Sequence, residues 1–138
     1  MNRSGYNDDC DDAACNVWRG AVASAIRGKR GQAFLHELLT ALDAMPEKRL
    51  AAEALRDDEG TVCALGVVGH ARGLDLAAID PEDRTAVAGA FGIAEAMAAE
   101  IMWENDMGYR WSDGAYGDNR RWAYMRDWAQ RHLAERAT

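Results

Sequence analysis

"GQAFLHELLTALDAMP", residues 31–46, decides the fold class. Phe34, Leu35, Leu38, Leu39, Leu42 and Met45 recur at steps of three and four, the spacing that gathers apolar side chains on one face of an α-helix. Pro46 ends the pattern, because it lacks an N–H and restricts the residue before it. A helix over 32–44 is therefore expected. Upstream, Val17, Trp18, Ala21, Val22, Ala25 and Ile26 repeat the same stripe and predict a helix over about 17–27. Gly28 stands where a left-handed stop belongs, having no Cβ to clash there. With so short a connection the two helices should pack as an antiparallel hairpin.

Downstream the pattern is less even. Residues 47–57, "EKRLAAEALRD", favour helix through their alanines, although alternation at Leu50, Ala52 and Ala54 also fits a short strand within 48–56. Thr61 is expected to cap a helix "VCALGVVGHAR" that stops at Gly73. Gly66 and Gly69 would let another backbone approach it closely. Asp80, Pro81, Glu82 and Asp83 form a strong helix start, with Asp80 as cap. That helix should stop near Gly92, and the next should run from 93 or 94 to about 105, with Met97 and Ile101 inward. A last helix over about 119–135 carries Trp122, Met125, Ala129 and Leu133 on one face. The expectation is an all-α protein: a compact, irregular (orthogonal) bundle of six or seven short helices. Residues 1–16 read as a flexible acidic tail and 17–138 as a single helical domain.

The chain has 138 residues, 49% of them apolar, enough for a core and too many for global disorder. No run approaches the roughly 20 apolar residues that span a bilayer. The N-terminal residues lack the apolar stretch of a secretory signal, so a cytoplasmic protein with no membrane association is expected. Cys10 and Cys15 form a lone C-x4-C without a second pair, and Cys63 stands apart. Reduced thiols, no bound metal and no cofactor are expected from that arrangement.

The net charge of −7 is unevenly laid out. Residues 1–16 sum to −3, 17–36 to +4, 37–106 to −10 and 107–138 to +2. The middle of the chain would repel phosphates, while the basic stretches tolerate them.

Three stretches carry possible binding chemistry. Arg27, Lys29, Arg30 and Gln32 surround a helix start, where free N–H groups and the positive dipole end also favour an anion. The plainer reading is a soluble charged turn, and the G-x4-G-K-[ST] phosphate loop is absent. Residues 87–101 imitate a helix-turn-helix. Its second helix, however, would show Ala94, Glu95, Ala96, Ala99, Glu100 and Glu104 to the DNA, and carboxylates repel phosphate. That stretch reads instead as a structural corner, and Glu95, Glu100 and, just beyond it, Glu104 are interface candidates on an acidic outer face. Seven of the eleven aromatic residues fall within 103–128. Tyr109, Trp111 and Tyr116, with Arg120 and Arg121, are the interface candidates there, Trp and Tyr being common anchors. Core packing is the competing account for Trp103, Trp122 and Trp128. His36, His70 and His132 lie on separate predicted helices, and neither H-E-x-x-H nor G-x-S-x-G occurs, so no catalytic residue is expected.

The segments "VWRGAVASAIRGKRGQAFLHELLTALDAMPEKRL", "GTVCALGVVGHARGLD" and "FGIAEAMAAEIMWEND" resemble short proteins with no assigned activity that are encoded by phages and prophages of proteobacteria. The resemblance spans about 17–106. It implies a non-enzymatic, stoichiometric binder that blocks or modulates a host or defence protein, in the manner of anti-CRISPR proteins. It imports no catalytic residue. A nucleic-acid or phosphate binder using the 27–30 turn and the C-terminal arginines is the alternative.

Overall fold

A computed structural model describes residues 12–108 and 118–133. Within them the chain is all-α, built from six α-helices without a sheet. Helix α1 is Asp12–Arg27, α2 is Lys29–Ala44, α3 is Ala64–Arg72, α4 is Arg84–Phe91, α5 is Glu95–Trp103 and α6 is Asp118–His132. A 3-10 turn, Leu76–Ala78, follows α3, and a π-helical turn, Glu104–Gly108, prolongs α5.

The α2 stripe is buried as its spacing requires: Phe34, Leu35, Leu38, Leu39 and Leu42 enter the core. Its far end is closed by a basic side chain. Lys48 Nζ donates to the carbonyls of Asp43 at 2.6 Å and Met45 at 2.8 Å, and the Trp122 indole N–H donates to Leu42 O at 3.2 Å. These bonds satisfy carbonyls that a helix end leaves without partners.

Helix α1 and α2 meet at a one-residue corner, Gly28. The crossing is so tight that a Cβ on Gly31 would lie 2.0 Å from the Ala25 carbonyl oxygen. Helix α2 thus begins at Lys29, three residues before the expected start, and α1 begins at Asp12, inside the stretch read as tail.

Helix α5 is the centre of the molecule and packs against α1, α3 and α4. Ala96, Met97, Ala98, Ala99, Ile101 and Met102 are all buried, while Glu95 at its start is exposed and Glu100 is half-buried. A helix this largely apolar belongs inside the protein. Helix α4 meets α5 at 105°, across Gly92 at φ 71°. That angle suits a helix-turn-helix, but the second helix lies within the core and cannot enter a groove of DNA. Among the described residues no single helix is long and apolar enough to cross a membrane; only the bent α4–α5 pair has the composition.

Two caps differ from expectation. Cys63, not Thr61, caps α3, its Sγ accepting from the Gly66 N–H at 3.4 Å. Asp83, not Asp80, caps α4 through the Ala86 N–H, while Asp80 closes the preceding turn. The expected left-handed stop at Gly73 is present, with φ 77°.

The 47–57 stretch corrects the helical preference. It is an irregular extended segment that folds back on 61–63, with one antiparallel bridge, Arg56 to Val62. Ala51 N donates to Val62 O at 2.8 Å and Cys63 N to Leu55 O at 3.1 Å. Gly66 presses against this segment; a Cβ there would lie 2.1 Å from Leu55 O.

Candidate functional site

Three sequence-derived regions can be placed, and they do not converge. The basic corner is the most exposed. Arg27, Lys29 and Arg30 are all solvent-facing, and no ion pair engages them among the described residues. Helix α2 has neither a side-chain cap nor an acidic residue in its first turn. Gln32 is different. Its Nε2 donates to Ile26 O at 2.7 Å and to His132 O at 3.1 Å, tying the ends of α1 and α6 together. In this fold it acts as a structural strut.

Most acidic groups of 37–106 are engaged within the fold. Glu95 is exposed but engaged by Thr85 Oγ1 at 3.2 Å and by Arg84 at 3.9 Å. Glu100 is half-buried and Glu104 is buried, which overturns their reading as outer-face groups. Other acids of 37–106 are also committed. Glu37 accepts from Arg72 Nε at 2.7 Å and Nη2 at 2.6 Å, and that guanidinium holds its carboxyl below the usual range. Asp43 is held by Arg126 in the same way. Asp57, Asp75, Asp80 and Asp83 accept main-chain N–H groups in turns and caps. Much of the negative excess therefore builds the fold.

Tyr109, Trp111 and Tyr116 lie outside the described residues. Arg120 is exposed, whereas Arg121 is 4% exposed and belongs to the core. Trp128 is buried, with its ring centroid 4.7 Å from that of His132, and burial lowers the affinity of His132 for a proton.

Beneath these groups is a polar cluster that the sequence reading missed. Glu104, Asn105 and Asp106 open the π turn, and all three are buried. Asn105 Oδ1 accepts from Ala64 N at 3.1 Å, and its Nδ2 donates to Ala51 O at 2.9 Å and to Asp106 Oδ1 at 2.8 Å. Asp106 Oδ1 also accepts from Glu53 N at 2.9 Å, which holds Glu53 at the unusual φ of 63°. Arg121 donates to Asn105 O at 2.8 Å and Leu50 O at 3.1 Å. The cluster thus does for 50–64 what a sheet ladder would otherwise do, because buried main-chain groups must find partners. On the α6 side, Tyr124 donates to Glu104 Oε1. Burial, then a hydrogen bond with Glu100, pushes the Glu104 carboxyl up to about 7. The signal available in the sequence was "WEND": three polar residues directly after a largely apolar helix.

A further concave surface is present among the described residues. A groove of about 790 Å³ lies between the end of α2, the 56–62 turn and the outer side of α3. Ala44, Met45, Pro46 and Ala71 give it an apolar lining above the more buried Val62 and Val67. Glu47, Arg49, Arg56, Glu59 and His70 supply charge around it. Arg49 pairs with Glu47 at 3.1 Å, and Arg56 approaches His70 Nδ1 at 3.4 Å. Its size suits a few side chains of a bound segment. Among the described residues no three His, Cys, Asp or Glu side chains are placed to hold a metal ion.

The chain matches no family description, no curated protein and no solved structure.

Proposed function

We propose that this chain is a non-enzymatic, protein-binding domain that docks its partner in the groove between α2 and α3. The carrying observation is the pairing of an apolar lining at Ala44, Met45, Pro46 and Ala71 with a mixed-charge rim. Interfaces use that layout: apolar contact supplies affinity and charges set register and encounter rate. The resemblance to phage- and prophage-encoded proteins supports a stoichiometric blocker of a host or defence protein, comparable in action to anti-CRISPR proteins. The test compares affinity capture by the wild-type chain and by an Ala44→Glu/Ala71→Glu variant in nuclease-treated lysate of cells that carry the gene. Both positions are exposed, so the variant should unfold at the wild-type temperature. A protein retained in one-to-one amount by the wild type and lost from the variant is expected. Equal retention by both removes the groove from the function.

A second reading rests on the basic corner. Arg27, Lys29 and Arg30 are exposed beside an uncapped helix start, an arrangement suited to phosphate. It favours a nucleic-acid or phosphate binder whose affinity falls steeply with salt.

A further inference from the structure

We propose that the groove between α2 and α3 takes an acidic segment of its partner: a peptide whose large apolar side chain enters the floor while a neighbouring Asp or Glu carboxylate is gripped by Arg56 and His70. This rests on the docking reading above and adds to it the chemistry of the occupant.

The cations around the groove are not equivalent. Arg49 is paired with Glu47 at 3.1 Å, Arg72 with Glu37 at 2.6 Å and Arg126 with Asp43 at 2.7 Å. Lys48 Nζ is bonded to the carbonyls of Asp43 and Met45. Arg56 differs. It is exposed, and among the described residues it meets no carboxylate; its guanidinium lies 3.4 Å from His70 Nδ1. An arginine donates and never accepts, so Nδ1 is the acceptor and the imidazole proton sits on Nε2. A guanidinium and an imidazole N–H donor thus adjoin on the wall of an apolar groove. An acceptor-only group complements them, and a carboxylate matches the guanidinium fork with two oxygens.

Both residues stand on ordered backbone. Arg56 forms the antiparallel bridge with Val62, flanked by the bonds from Cys63 N to Leu55 O at 3.1 Å and from Asp57 N to Thr61 O at 2.8 Å. Asp57 Oδ1 accepts from Glu59 N and Thr61 N, each at 2.9 Å, and so fixes the intervening turn. His70 lies in the last turn of α3, where its carbonyl accepts from Gly73 N at 3.1 Å. Little backbone ordering is left for binding to impose, which lowers the cost of association.

The floor sets the other half of the preference. Ala41, Val62 and Val67 are buried at its base, and Ala44, Met45, Pro46 and Ala71 extend the apolar lining. Glu47 and Glu59 also border the groove. They oppose a phosphate dianion more than the single charge of a carboxylate, which favours an acidic peptide over a phosphorylated one.

Selection from a random peptide library displayed on phage, with the full wild-type chain as bait, tests this. Selected peptides are then synthesised with a fluorescent label and measured by anisotropy. They should carry a large apolar residue beside Asp or Glu and should not bind the Ala44→Glu/Ala71→Glu chain. Arg56→Gln should weaken them by at least about tenfold, the worth of a hydrogen bond to a charged group. Arg49→Gln should change little, because Glu47 already matches that charge. Arg56→Glu should prefer the same peptide with Lys in place of its acid. Arg56→Lys keeps the charge without the fork, should lose part of the affinity, and stands in should the Gln variant fail to fold. Groove-dependent peptides that lack an acid, or that bind Arg56→Gln as tightly as wild type, overturn the acidic occupant and leave the docking reading standing. Failure to select any peptide also overturns it alone, since docking of a folded partner is read separately by the capture experiment. Peptides bound equally by the wild type and by Ala44→Glu/Ala71→Glu sink both.

Discussion

Arg121 of α6 reaches the main-chain carbonyl of Asn105 through Nε at 2.8 Å while its Nη1 reaches Leu50 O at 3.1 Å. One side chain thus joins the π turn to the extended segment. Arg121→Met should lower unfolding stability by about 3 kcal/mol, because two buried carbonyls lose their donors. Arg121→Lys should recover only part, since an ammonium cannot reproduce the fork. Urea denaturation of the three proteins checks the order. A Met variant as stable as the wild type would show that the carbonyls find other partners.

A second expectation concerns the α1–α2 corner. Gly31→Ala sets a methyl group 2.0 Å from the Ala25 carbonyl oxygen, and no rotamer relieves a backbone clash. Stability should fall by more than about 2 kcal/mol, the range of overpacking. Gly20→Ala, where nothing lies within 4 Å, is the control and should be neutral or slightly stabilising. Thermal unfolding followed by circular dichroism separates the two.

A third follows from Glu104. Its folded value lies near 7, above the ordinary 4.5, so its contribution is complete below about pH 4.5 and is lost as pH rises to about 7. The loss amounts to on the order of 3 kcal/mol. Glu104→Gln should flatten that part of the profile and be the more stable protein at pH 8. Urea midpoints at pH 5, 6, 7 and 8 give the slope, and identical slopes for both proteins would remove Glu104 as its source.

How much of this was legible in the sequence depends on where the ordering forces arise. The stripe of α2 could be read because burial of Phe34, Leu38 and Leu42 is written in its own spacing. The 47–57 stretch could not. Its alanines favour helix locally, but Asn105, Asp106 and Arg121, distant along the chain, bind its backbone in an irregular, non-helical form and outweigh a propensity of a few tenths of a kcal/mol per residue. Glu104 was misplaced by the assumption that charge faces water. The better clue was α5 itself, where the run Ala96, Met97, Ala98 and Ala99 puts apolar residues on successive sides and marks a helix mostly enclosed by the core. Of the site, Arg27, Lys29 and Arg30 of the basic turn are exposed, as both of its readings require. Gln32 was not seen as a strut, because its partner Ile26 O belongs to a helix end and His132 O to a helix far along the chain.

A fourth prediction addresses the basic corner. Replacing Arg27, Lys29 and Arg30 together by Ala should leave the unfolding temperature unchanged, since all three side chains are exposed. In the nucleic-acid reading, the same change should flatten the salt dependence of single-stranded DNA binding by up to about three units of log–log slope. Fluorescence anisotropy from 50 to about 200 mM salt measures it, and an unaltered slope would exclude the corner as a phosphate contact.

The sealed position of Cys63 has a practical consequence. Its sulfur has no accessible surface and is bonded to the start of α3. In a chain whose Cys10 and Cys15 are replaced by Ser, this thiol becomes a built-in clock. A thiol-specific dye can reach it only when the start of α3 opens, so the colouring rate at saturating dye reports how often that region breathes.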